Sequence, residues 1–209
     1  RLTKAKRLME KLKELLNREC DRTMSSEEWD ALFKLSTQIV LKKGDVLISP
    51  GDIEPDVYIV KEGIIRGVDF NGDQERTFCF GLPGTVFNSR FSFYRKLPSY
   101  YQIEACCRSV VLRIPREDYI AMTDECHSFA VWALHYAWYE QFLEEDREST
   151  VHNGNAKERY IHMLKTRPAI ANGVSQRILA SYLGITPEYL SRVKASILKE
   201  NTKLKTTDD

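Results

Sequence analysis

The sequence predicts an α+β chain in three parts: an N-terminal antiparallel β-roll preceded by helices, a long helix, and a C-terminal helix-turn-helix domain. Three observations carry that prediction. Seven of the ten glycines lie between Gly44 and Gly84, among short runs rich in β-branched and aromatic residues. Residues 116–151 then hold neither glycine nor proline, and their large apolar residues recur at steps of three and four. The last quarter changes sign: residues 1–150 carry 21 Lys and Arg against 25 Asp and Glu, whereas residues 151–209 carry 10 against 5. An acidic body with a basic end suggests an anionic polymer met by the C-terminal part. The expected boundaries are 1–122 for the N-terminal helices and roll, 123–152 for the long helix, and 153–209 for the helix-turn-helix domain.

Residues 1–37 read as helical. Leu8, Leu12 and Leu15 share one face, and Ser25 with Glu28 forms an S-x-x-E capping box ahead of Trp29, Leu32, Phe33 and Leu35. Between Ile39 and Ile114 the runs IVL, DVLIS, VYIVK, IIRGVD, TFCF, YQIEA and SVVLRI read as strands, and Asn71-Gly72 between two of them signals a hairpin. Such a roll leaves a pocket.

In the long helix, Phe129, Trp132, Tyr136, Tyr139 and Leu143 step by 3, 4, 3 and 4, the spacing of a helix-packing seam. A second stripe, Val131, Leu134, Trp138 and Phe142, lies on another face. Two apolar faces need two partners, the roll and either a second copy or the rest of a monomer. Five large residues in register are more than one roll covers, which makes the first series the expected seam of a two-fold dimer.

The most informative stretch runs from Ser175 to Val193. Counting Gln176 as one, Ala180 is fifth, Gly184 ninth and Leu190 fifteenth, with Leu179, Leu183, Ile185 and Val193 at core positions. A helix-turn-helix needs this set: a small residue at the crossing, one tolerant of positive φ in the turn, and apolar inner positions. Ser175 can cap the first helix, and Thr186-Pro187 can start the second. Function then rests on the outward residues. Glu188, Tyr189 and Arg192 are the candidates for reading base edges, since Arg donates two bonds to guanine and Glu accepts from cytosine. Ser175, Arg177, Ser191 and Lys194 are the candidates for phosphate contacts. The same Glu188 to Arg192 spacing also suits a plain surface salt bridge, but inside a basic helix-turn-helix domain double-stranded DNA is the expected partner.

In this order of parts the chain resembles the Crp/Fnr superfamily of bacterial transcription regulators over nearly its whole length. The roll signature appears in Lys43-Gly44-Asp45-Val46-Leu47, Gly51-Asp52, Tyr58-Ile59-Val60-Lys61-Glu62-Gly63 and Leu82-Pro83-Gly84; the DNA end appears in Leu183-Gly184-Ile185-Thr186-Pro187-Glu188-Tyr189-Leu190-Ser191-Arg192. The resemblance implies a cyclic-nucleotide-binding-like sensor roll, a homodimer joined through the long helix, inverted-repeat DNA targets, and RNA polymerase as a further partner.

The chain departs from the cAMP-binding members where their Gly-Glu pair takes the ribose and their Arg-Ser pair holds the phosphate. Asn88-Ser89 and Ser99-Tyr100 stand there instead. Losing a bidentate Arg removes the cationic partner of the phosphate, so cAMP is not expected and the effector is left unnamed. The candidate effector pocket is Asn88, Ser89, Arg90, Ser99 and Tyr100, filled by Phe87, Phe91 and Tyr100 or open to another ligand, with Arg90 and Arg95 able to rebuild an anion site. Family members usually end in a β-hairpin wing, but the segment after Ala195 is short and polar, so the wing is expected to be reduced or absent.

Other classes fare worse. Cys20, Cys79, Cys106, Cys107 and Cys126 show neither CxxC pairing nor regular spacing, against a disulfide scaffold, a zinc site or a four-cysteine iron–sulfur cluster. Haem would need Cys79, His127 or His135, which read more simply as packing residues. Cys106 and Cys107, adjacent on a strand, would point to opposite faces and pair only under strain. No metal site, cofactor or enzymatic constellation is predicted. No apolar run approaches the roughly 18 residues of a membrane span, and the charged N-terminal stretch lacks a secretory pattern, so a cytoplasmic location is expected. The rival reading is a ligand-binding or protein-interaction module without DNA, against which the basic last quarter and Arg192 argue.

Overall fold

A computed structural model describes residues 3–18, 23–72 and 74–207. Cys20 lies outside the described residues. Two N-terminal helices, α1 (Lys4–Arg18) and α2 (Ser26–Lys34), precede the sheet. The capping box is made: Ser25 Oγ accepts from the Glu28 N–H at 3.2 Å and Glu28 Oε2 accepts from the Ser25 N–H at 2.7 Å, satisfying two donors that a helix start leaves open.

Among the described residues eight strands follow: β1 (Thr37–Leu41), β2 (Val46–Ile48), β3 (Val57–Glu62), β4 (Ile65–Asn71), β5 (Gln74–Gly81), β6 (Val86–Phe87), β7 (Gln102–Ala105) and β8 (Ser109–Ile114). They form two four-stranded antiparallel sheets, ordered β1-β8-β3-β6 and β2-β7-β4-β5. Inward residues of the two sheets meet in one apolar cluster that includes Ile48, Tyr58, Val60, Ile65, Ile103 and Val111. In the β4–β5 hairpin Asn71 pairs with Gln74, so the loop begins one residue later than the Asn71-Gly72 signal suggests, with Gly72 at φ +60°. A short helix α3 (Arg90–Arg95) sits between β6 and β7.

Among the described residues six helices follow: α4 (Arg116–Glu125), α5 (His127–Asn153), α6 (Ala156–Thr166), α7 (Pro168–Gly173), α8 (Gln176–Leu183) and α9 (Pro187–Thr207). Where a wing would begin, α9 continues as helix. No helix among the described residues is long and apolar enough to cross a membrane.

The expected dimer seam is corrected by α5. Phe129, Trp132 and Tyr136 are 0%, 1% and 9% exposed, and Tyr139 packs against the same cluster. They are covered from within by α1 and α2. Trp132 stands edge-on to Trp29 at 4.8 Å between centroids and donates its indole N–H to Leu16 O at 2.9 Å. Tyr136 Oη accepts from the Val86 N–H at 2.7 Å. The reasoning that one roll cannot cover five large residues was sound, but the N-terminal helices supply the second cover. The face left outside belongs to the other stripe, with Leu134, Trp138 and Phe142 at 50%, 62% and 59% exposure.

The C-terminal helices do not hang free of the roll. Ile64, Phe80 and Cys106 from the roll share one buried cluster with Tyr160, Met163, Ile170, Leu179, Leu183 and Leu190. Ser181 on α8 accepts from the Thr77 N–H at 2.9 Å and donates to Glu75 O at 3.2 Å, and Tyr182 packs on Phe80 with centroids 5.0 Å apart. Gly173 permits the approach of α7, since a Cβ there would lie 2.6 Å from Ile64 Cδ1.

Candidate nucleic-acid interface

The α8–turn–α9 unit is built as its sequence dictates. Ser175 caps α8 by accepting from the Ile178 N–H at 3.3 Å. The helix ends at Gly184 with φ +67°, and the Ile185 N–H returns to Ala180 O at 3.0 Å. A side chain in that left-handed conformation costs about 1–2 kcal/mol, which is why glycine stands there. Thr186 Oγ1 then accepts from the Tyr189 N–H at 3.2 Å and Pro187 opens α9. Leu179, Ala180, Leu183, Leu190 and Val193 are buried between the helices.

The outward residues remain outward. Glu188, Tyr189, Ser191 and Arg192 are exposed on the first turns of α9. The surface salt bridge that the Glu188 to Arg192 spacing would allow is not made: among the described residues neither enters an ion pair, and the Arg192 guanidinium lies over the Tyr189 ring, 5.3 Å from its centroid. Of the phosphate candidates, Ser175 is committed to its cap. Gln176 Nε2 donates to Pro187 O at 2.8 Å and also to Ser191 Oγ, tying the two helices together. Arg177 is 76% exposed, with one guanidinium nitrogen 3.6 Å from Glu75 on β5. Lys194 lies over the Tyr160 ring at 5.5 Å.

The predicted effector pocket comes together differently. Ser89 and Ser99 are 0% and 2% exposed and spent on local bonds: Ser89 caps α3, and Ser99 Oγ donates to Tyr101 O at 2.9 Å. Tyr100 is 61% exposed and pairs with Phe91 on the outside. The residue that enters the roll is Tyr101. It is 6% exposed, its ring is 5.2 Å from that of Phe78, and its hydroxyl donates to Asn88 O at 2.8 Å while accepting from the Arg90 N–H at 3.2 Å. Phe87 stacks on Tyr58 within the same interior. Of the three expected fillers only Phe87 therefore packs inward, and Tyr101 takes the place given to Phe91 and Tyr100. Tyr100 and Tyr101 lie in the bend just ahead of β7, where no strand periodicity tells which of the two turns inward.

Arg90 does not rebuild an anion site either. Its guanidinium is turned to α5, 2.7 Å from Glu144 and 4.0 Å from Glu140, and Arg95 is exposed. Cys106 and Cys107 lie in the bend after β7 rather than on the strand, and burial pushes the Cys106 thiol up to about 12, the wrong direction for a reactive thiolate. Among the described residues no group of three His, Cys, Asp or Glu side chains could hold a metal ion.

Residues 38–126 match the cyclic nucleotide-binding domain family. Curated protein sequences give no match. Among solved structures, FixK2 from Bradyrhizobium japonicum superposes with a TM-score of 0.68 at 22% identity, covering 79% of this chain and 86% of its own. A CooA double mutant from Carboxydothermus hydrogenoformans gives 0.68 at 18% identity, covering 90% and 84%. CLP from Xanthomonas campestris, a c-di-GMP responsive global regulator, gives 0.65 at 16%, covering 85% and 93%. The fold is that of the Crp/Fnr regulators.

Proposed function

From a cyclic nucleotide-binding domain carried on the Crp/Fnr regulator fold, we propose that this chain is a dimeric, sequence-specific DNA-binding transcription regulator whose roll does not take cAMP. The observation that carries the reading is the first two turns of α9. An exposed Arg192, oriented by Tyr189 and unpaired with Glu188, follows a glycine turn closed by buried partners. A helix that presented these groups only to water would gain from joining them; a major groove uses them apart. Ser191, Arg177 and Lys194 serve as phosphate contacts, and Ser175, whose Oγ accepts from the Ile178 N–H in its cap, can still donate its hydroxyl proton to a phosphate.

The second copy pairs through the stripe Leu134, Trp138 and Phe142, which α5 leaves exposed along one line. In the roll, Tyr101 packs inward on Phe78 with its hydroxyl on Asn88 O, and the Arg90 guanidinium pairs with Glu144 on α5, which supports a roll that does not take cAMP. The test is selection of duplexes from a random pool by the full chain. The expected product is an inverted repeat with half-site centres roughly 34–36 Å apart; a consensus without two-fold symmetry would refute the reading, as would retention independent of salt.

A further inference from the structure

Between β6 and β7 the chain turns an apolar line outward. Phe91, Tyr94, Leu97 and Tyr100, each three residues from the next, are 44%, 77%, 48% and 61% exposed. They form one surface. Phe91 and Tyr94 are neighbours on one side of α3, the Leu97 N–H returns to Phe91 O at 3.3 Å, and the Phe91 and Tyr100 rings meet edge to face at 5.0 Å. Phe93 and Tyr101, adjacent in the chain, take the inward places, so core packing does not account for the line. Residues 77–103 hold three cations, Arg90, Arg95 and Lys96, and no carboxylate. Arg90 is paired with Glu144 on α5. Arg95 and Lys96 are exposed, and among the described residues neither enters an ion pair.

Lys96 is also the one non-glycine residue at positive φ among the described residues, at +53°, where glycine would sit without strain. A strained turn that holds a lysine fixes a cation at the edge of the apolar line. Past Lys96 the surface falls into an open recess of about 290 Å³, walled by Ile53, Pro55, Pro115 and Arg116. Arg116 is held there by donating to Phe93 O at 2.8 Å, with its guanidinium over the Phe93 ring. Of the two carboxylates at the recess, Asp56 is tied to Arg113 and to the Arg116 N–H, and Glu117 forms no pair with Lys96.

Exposed aromatic and aliphatic groups beside unpaired cations are the makeup of a protein-contact surface. We propose that this face of the roll docks an acidic segment of another protein, one in which Leu, Phe or Trp stands between Asp or Glu residues. The apolar side chain lies on the line and reaches the recess; the carboxylates meet Arg95 and Lys96. An anionic bilayer suits the face less, because lipid surfaces are held by clusters of about 4–8 Lys or Arg and a flat sheet leaves the recess empty. No residue of the patch belongs to α5, α8 or α9, so it is separate from the exposed stripe of α5 and from the base-reading face.

Panning a random peptide pool on the full chain without DNA, then titrating the enriched peptides by fluorescence anisotropy, tests this. The enriched peptides should carry Asp or Glu around a large apolar residue and bind more weakly as salt rises. The double variant Tyr94→Ala with Leu97→Ala should weaken them about tenfold or more, and Lys96→Glu about as much. Lys96→Gly separates a binding role from a structural one. It removes the cation and relieves the strained turn, so affinity should fall while the melting temperature holds or rises. Arg192→Ala should change nothing, which sets these peptides apart from polyanions drawn to the basic helix-turn-helix domain. All the substituted side chains are exposed, and thermal melts check that each variant folds. The proposal is overturned if no acidic-apolar peptide is enriched, or if the patch variants bind the enriched peptides as the parent does. Vesicles containing phosphatidylglycerol and light scattering test the other occupants: if the double variant is released from vesicles, or drops to a smaller oligomer, the face belongs to a bilayer or to a second copy and the proposal falls.

Discussion

At Arg192 and Glu188, four residues apart on α9, two opposite charges within reach of each other are left unjoined. That arrangement predicts separable effects. Arg192→Ala should cost ~1–3 kcal/mol of specific binding and relax preference at one base pair of each half-site, whereas Arg177→Ala should weaken all duplexes alike and flatten the salt dependence. Competition assays with point-substituted duplexes at two salt concentrations separate the two. Tyr101 carries a second prediction: titration of the parent with cAMP should give no binding up to millimolar concentrations, and Tyr101→Ala should lower stability by about 3–5 kcal/mol, the usual cost of removing a buried aromatic ring. Glu140 carries a third. Burial pushes its carboxyl up to about 7, so the folded chain holds a proton that the unfolded chain has already released. Stability should therefore fall as pH rises from about 4.5 to about 7, and Glu140→Gln should raise the melting temperature at pH 8 while leaving it unchanged at pH 4. At this scale the sequence was legible where spacing alone decides, as at Gly184 and Leu190. It misled where one residue of a neighbouring pair had to be chosen, and Tyr100 was read for Tyr101.

The long helix shows why elements are harder to read than residues. Both stripes of α5 are apolar, and periodicity says only that each wants a cover, not which cover it receives. Contacts more than 100 residues apart in sequence, such as Trp132 to Leu16, decide the matter, and no local pattern announces them. Exchanging the two faces gives opposite expectations for two tryptophans. Trp132→Ala should remove about 3–5 kcal/mol of stability, seen as a lowered melting temperature. Trp138→Glu should leave the melt of the protomer nearly unchanged, yet give monomers by light scattering and lose operator binding. A parent protein that is monomeric at micromolar concentration would remove the basis for this assignment. For α9, the polar composition after Ala195 correctly argued against a hairpin, but the continuous helix through Thr207 was not foreseen.

For the whole molecule, the order of roll, long helix and helix-turn-helix was readable because glycine-punctuated strands, a glycine-free stretch and a basic end follow one another without overlap. The docking of α8 on β5 was not, since Ser181, Thr77 and Glu75 are unremarkable polar residues until the fold brings them together. The cluster that joins Ile64, Phe80 and Cys106 to Leu179, Leu183 and Leu190 has a further consequence. Calorimetry of the full chain should show one cooperative transition rather than two, because neither part can open without uncovering the apolar surface of the other. A fragment confined to residues 153–209 would leave its half of that cluster in water and should associate or melt at a lower temperature than the parent. For anyone building chimaeras, the output end of this chain is not an interchangeable cassette: grafted onto another sensor, it works only if the recipient offers an apolar seat in the place of Ile64, Phe80 and Cys106.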